Sequence, residues 1–209
     1  MIPAAEALER LRDGNRRFVA EQREDESAGR ARRREVVAAQ EPFTIILGCS
    51  DSRVPAEIVF DQGLGDLFVI RVAGNIVAPS QIGSVEFATE RFHTRLVVVL
   101  GHTQCGAIAA TLEELRRPTA ARSRNLRSIV GRIRPAVKDL VHHRPPLEEH
   151  ALTHQAVRAN IRYAADHLRH GSPMLEQAIS QDGLMIVGAE YSLETGLVDF
   201  FDAPPSTNN

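Results

Sequence analysis

Two uninterrupted aliphatic runs, each closed by a glycine, constrain this chain more than any other feature. Phe43 to Arg53 reads FTIILGCSDSR, and Leu96 to Leu100 runs into Gly101, His102 and Cys105. Short apolar and β-branched runs bounded by turn residues fit buried strands. In an α/β sheet, ligands bind just beyond the carboxyl ends of parallel strands. There the two runs would place Cys49, Asp51, Arg53, His102 and Cys105, and these two cysteines are the only ones in the chain.

Around these runs the sequence alternates strands with helices. Further strands are predicted over Leu67–Val72, Leu184–Ala189 and Leu197–Phe201, the last across a turn at Gly196. An amphipathic helix starts near Pro3, with Ala7, Leu8, Leu11, Phe18 and Val19 on its apolar side. Other helices are predicted over Gly83–Phe92, with Val85, Phe87 and Ala88 in the core, and over Gly106–Leu115. Two more span Leu126–His142, broken or kinked at Pro135, and Leu147–His170, ended by Gly171. Glu21–Arg34 reads as a charged, solvated linker or helix start, Pro118–Ser123 as a loop and Asp202–Asn209 as a polar tail. The alternation implies an α/β fold: a mostly parallel central sheet of about four parallel strands plus a C-terminal edge strand, flanked by helices.

Composition narrows the function classes. The chain of 209 residues is 43% apolar and 25% charged, with formal charge −2, which gives no electrostatic footprint for nucleic acid or membrane. No apolar run approaches the ~18 residues of a membrane span, and the first residues lack an apolar signal core, so a cytoplasmic protein is expected. In a reducing compartment two cysteines point to metal ligation or catalysis rather than to a disulfide. Zinc takes cysteine sulfur, histidine nitrogen and carboxylate oxygen in tetrahedral sites. Cys49, Asp51, His102 and Cys105 make such a set if the two turns face each other. By spacing alone, the alternative that both cysteines are small buried hydrophobes stays open.

The flanking residues carry more. CSDSRVP over Cys49–Pro55, followed by GHTQCGA over Gly101–Ala107, resembles the β-class carbonic anhydrases. The likeness extends from ALERLRDGNRRFV in the first helix to GAEYSLETG near the end and is weakest from Pro118 to Pro146. It implies one domain over residues 1–209: an N-terminal helical arm (1–40) that extends onto a partner subunit, a zinc-binding core (41–203) and a tail (204–209). The implied activity is reversible hydration of carbon dioxide to bicarbonate and a proton by zinc-bound hydroxide, in a homodimer or tetramer with one zinc per subunit.

By position, the resemblance makes Cys49, His102 and Cys105 constant zinc ligands and Asp51 a conditional fourth. Arg53 is that aspartate's partner in a pH-dependent gate. Gln40 is expected to reach substrate across a dimer interface, Phe68 to form an aromatic wall of the carbon dioxide pocket, and Gly106 to offer a backbone N–H beside the metal. Ala73 stands where many relatives have valine. Some relatives hold regulatory bicarbonate with a tryptophan, an arginine and a tyrosine; here Arg71 and Tyr191 match but Ile46 replaces the tryptophan, so only a vestigial pocket is expected.

Other readings use the same residues differently. A structural zinc site would keep Asp51 on the metal, a thiol redox protein would use Cys49 and Cys105 without a Cys-x-x-Cys pair, and another small heterocumulene such as carbon disulfide could be the substrate. Among the eight histidines, His150 and His154 are spaced i, i+4 on a helix, a spacing able to bind metal, but the sequence offers them no third ligand.

Overall fold

The two aliphatic runs become neighbouring strands at the centre of one sheet. A computed structural model describes residues 2–22, 29–118, 123–142, 145 and 147–202. The tail at 204–209, and His143, Arg144 and Pro146, lie outside the described residues, as do parts of the linker after Glu21 and of the loop after Pro118. The strands are β1 (Thr44–Gly48), β2 (Leu67–Arg71), β3 (Leu96–His102), β4 (Met185–Tyr191) and β5 (Val198–Asp202), in the order β2-β1-β3-β4-β5. The first four are mutually parallel and β5 runs antiparallel to β4. Every residue of β1 and β3 is buried, because helices cover both faces.

One face carries Ile45, Leu47, Val97 and Val99. Over it lie α4 (Pro79–Phe92), α5 (Gly106–Arg116), α6 (Arg124–Val141), α7 (Glu149–His170) and α8 (Pro173–Gln181), which contribute Val85, Ile108, Ile133, Ile161 and Leu175. The other face carries Ile46, Val98, Leu100 and Val187 under α1 (Ala4–Val19) and the segment around α3 (Ala56–Val59). Burying each such Leu or Ile is worth roughly 1.5–3 kcal/mol relative to exposure. A short α2 (Arg30–Glu35) begins inside the charged stretch read as a linker or helix start and runs one residue past it.

The resemblance assigned the apolar stripe of α1 to a partner subunit. In the single chain Ala4, Ala7, Leu8 and Leu11 are buried against the chain's own sheet. Close approach is enforced at Gly14, where an added Cβ would fall 1.8 Å from the Phe60 carbonyl oxygen. Next to it, buried Asn15 donates to the carbonyls of Val59 and Gly196 and accepts from the Val198 N–H. Those bonds tie α1 to α3 and to the β4–β5 hairpin.

Four helix expectations are corrected. Phe87, predicted in the core, is 53% exposed, whereas Val85 and Ala88 are fully buried. Residues two apart lie on nearly opposite sides of a helix, so Phe87 stays at the rim, with its ring centroid 6.2 Å from Phe68 and 5.8 Å from Phe92. α4 begins at Pro79, whose missing N–H costs nothing in a first turn. α6 passes through Pro135 as one helix; the proline removes the bond to the carbonyl of Gly131, and that residue carries no side chain to crowd the ring. Between Gly171 and Leu184 the sequence reading omits α8, which Ser172 caps by accepting the Leu175 N–H.

Candidate metal centre

Parallel pairing in register brings the two turns together. Gly48 lies opposite Leu100, so Cys49, one residue beyond β1, comes level with the end of β3, where His102 is the last residue. A tight turn through Gln104, at φ 56°, then returns Cys105 to the same point as the residue preceding α5. The sulfurs of Cys49 and Cys105 and a ring nitrogen of His102 lie within 4.8 Å of one another, all three residues being buried. Among the described residues no other cluster of three His, Cys, Asp or Glu donors is formed.

The donor set fits a soft divalent cation. Nδ1 of His102 lies 2.8 Å from the Thr103 carbonyl oxygen, a bond only a protonated Nδ1 can make, which leaves the Nε2 lone pair free. That Nε2 is buried and has no hydrogen-bond partner. A buried polar atom without a partner is costly, and a metal ion between the two sulfurs would satisfy it. A hydrogen bond from the Cys105 thiol lowers the pKa of Cys49 against the opposing effect of burial, and His102 and the N–H groups of Gly74 and Asp51 act in the same lowering sense. The same Cys49 neighbour, together with burial, pushes Cys105 up despite N–H groups from Ile108 and Ala107 in the first turn of α5. The site thus holds one thiolate readily, and a cation between the sulfurs would let the second thiol ionise as well.

Asp51 stands at the mouth of the cluster. Its Oδ1 accepts from the Arg53 backbone N–H at 3.0 Å and from Nε at 2.9 Å, and its Oδ2 accepts from a terminal guanidinium nitrogen at 2.8 Å. This forked grip holds the carboxyl well below the usual carboxylate range. Oδ2 also lies 3.8 Å from His102 Nε2. Arg71, at the end of β2, clamps the same turn by donating to the carbonyls of Cys49 at 3.0 Å and Asp51 at 2.5 Å. Gly106 opens α5, so its N–H has no acceptor inside the helix, and Ala73 starts a short 3₁₀ turn behind Cys49.

The remaining predicted residues lie elsewhere. Phe68 pairs with Ile45, three positions before the Gly48–Arg71 pair, roughly 10 Å down the strands from the cluster. Gln40 precedes β1 and lines a groove of about 830 Å³ with Phe43, Phe87, Arg91 and Phe92. Gln40 and Phe68 therefore sit toward the amino ends of β1 and β2, opposite the sulfurs. Ile46 is fully buried on the face under α1, and Tyr191 is buried on that face with its ring 6.5 Å from Phe18. His154 approaches Glu190 at 3.5 Å, beside the Arg158–Glu190 pair.

Two residues that sequence reasoning missed support the centre. Gly74 donates its N–H to Cys49 Sγ at 3.3 Å, and buried Asn160 on α7 donates to the Gly74 carbonyl at 2.8 Å. The dipeptide Gly74-Asn75 just after a strand was the only hint, since both types tolerate left-handed backbone.

Comparison with known proteins agrees with this geometry. The family model described as carbonic anhydrase matches residues 44–198. A carbonic anhydrase of Mycolicibacterium smegmatis is 38% identical over 193 residues, covering 92% of this chain and 91% of the relative. Carbonic anhydrase 2 of Mycobacterium tuberculosis is 36% identical, covering 91% and 89%. The solved structure of the β-carbonic anhydrase CcaA superposes with a TM-score of 0.71 at 26% identity, over 98% of this chain and 92% of that one. With both cysteine turns inside the matched span, this chain belongs to the carbonic anhydrase family.

Proposed function

We propose that the protein interconverts carbon dioxide and bicarbonate at a zinc ion held by Cys49, His102 and Cys105, one per subunit. The observation that carries this reading is the unpartnered His102 Nε2 facing two buried sulfurs, with an ionised carboxylate beside them. Bound there, zinc would supply a Lewis acid that lowers the pKa of water and so makes a nucleophile of it.

The protein's own groups do the rest. Asp51 Oδ2 accepts one hydrogen bond from Arg53 and retains lone-pair capacity toward the cluster. It can therefore accept the O–H of the attacking water and turn the oxygen's lone pair toward carbon dioxide. Arg53 keeps that carboxylate ionised and would hold it away from a bound metal; without such a grip the carboxylate would close the site, as a purely structural centre requires. Arg53 thus serves as the alternative partner in a gate. The N–H of Gly106 supports negative charge on bicarbonate oxygen, and Ala73 leaves room beside Cys49.

Gln40 and Phe68 lie too far from their own chain's cluster to touch its substrate. Their assigned roles in substrate binding thus call for a second copy, whose site they would line, and the active unit is at least a dimer. The test of the whole reading is stopped-flow carbon dioxide hydration on protein of measured zinc content. Hydration that tracks zinc is expected; one zinc per chain with no hydration at any pH would overturn it.

A further inference from the structure

The turn behind Cys49 is held from a helix remote in sequence. Gly74 and Asn75 both adopt left-handed backbone, at φ 71° and 42°, a region that L side chains rarely occupy. The Gly74 N–H points at Cys49 Sγ, 3.3 Å away, while the Gly74 carbonyl accepts from Asn160 Nδ2 at 2.8 Å across 86 residues of chain. Asn160 is 2% exposed. The N–H and the carbonyl of Gly74 belong to different peptide planes, so the amide does not polarise the N–H directly. It fixes the plane after Gly74, and through that residue's dihedral angles it fixes where the N–H points. Deprived of its donor, the buried carbonyl would be unsatisfied, and the turn would swing to find another, carrying the N–H off the sulfur.

We propose that Asn160 is a positioning residue of the metal centre: by clamping the Gly74 carbonyl it keeps the Gly74 N–H on the Cys49 sulfur and so sets that thiolate's strength and place as a ligand. The inference rests on the zinc reading above. An N–H···S bond draws density from the sulfur lone pairs, which leaves the metal more acidic, and such outer partners typically change metal affinity or activity by about 10–100-fold.

The test uses cobalt(II) in place of zinc, where the sulfur-to-metal charge-transfer band reports thiolate donor strength without any activity assay. Asn160→Leu, close in size to the native side chain, and the smaller Asn160→Ala both remove the donor to the Gly74 carbonyl. Val157→Ala, in the same helix and 3% exposed, loosens packing while leaving the donor to the Gly74 carbonyl in place. In the Asn160 variants the band is expected at lower energy, and zinc affinity in chelator competition is expected to fall about 10–100-fold, while Val157→Ala keeps the native band. If Asn160→Leu does not fold, Asn160→Ala carries the test. A folded Asn160 variant with native band and affinity overturns the inference, as does an equal band shift in Val157→Ala. Wild-type protein that takes up neither metal overturns the zinc reading itself, and the inference with it.

Discussion

Replacing Gly74 by alanine tests whether the turn behind Cys49 is as tightly determined as its geometry implies. A non-glycine residue in the left-handed region, here φ 71° and ψ 23°, costs about 1–2 kcal/mol. The new Cβ would lie 2.8 Å from Ile133 Cδ1 and 3.0 Å from Ala107 Cβ, and overpacking of that kind adds about 1–3 kcal/mol. The expected loss is therefore about 2–5 kcal/mol, read as a fall in the midpoint of urea unfolding at unchanged slope. Ile133→Ala alone should cost about 2–5 kcal/mol by leaving a cavity. In the double variant the nearer clash is gone, so its loss should fall short of the sum by about 1–3 kcal/mol. A Gly74→Ala protein within about 1 kcal/mol of wild type, or a strictly additive pair, would refute the reasoning.

Four further outcomes are expected. Cys49→Ser and Cys105→Ser should each lose zinc and hydration activity, because a neutral hydroxyl is a far poorer ligand than a thiolate; elemental analysis showing full zinc in either would break the assignment. The rate of wild type should rise on the alkaline side of neutrality, since two thiolates cancel the charge of Zn²⁺ and the metal acidifies its water less than with three neutral histidines. Asp51 does not set that limb: its pKa is depressed, so the stability it contributes is present above the ordinary carboxylate pKa of about 4 and is lost only below it. Arg53→Ala should accordingly shift the rate profile to higher pH while any stability difference from wild type stays constant between about pH 6 and 9; coincident rate profiles would contradict the gate. Finally, a crystal soaked in bicarbonate should show no anion held by Arg71 and Tyr191, because Ile46 offers no donor and Arg71 is engaged by the Cys49 and Asp51 carbonyls.

By itself the sequence determined the sheet and the chemistry at its carboxyl end. Unbroken aliphatic runs such as Leu96–Leu100 have few alternatives to a strand buried on both faces, and the residues after Gly48 and Gly101 keep their types whatever surrounds them. Signals of that kind are local, carried by side-chain type and by a spacing of a few residues. Tertiary structure alone decided what depends on contacts between distant segments. It turned Phe87 to the rim rather than the core and laid the stripe of α1 on the chain's own sheet. It set Gln40 and Phe68 at the far end of the strands from the sulfurs. The clamp of Asn160 on Gly74 belongs to the same class: an asparagine on a helix carries no mark of the carbonyl it will meet, because the partner is chosen by the packing of α7 over the sheet.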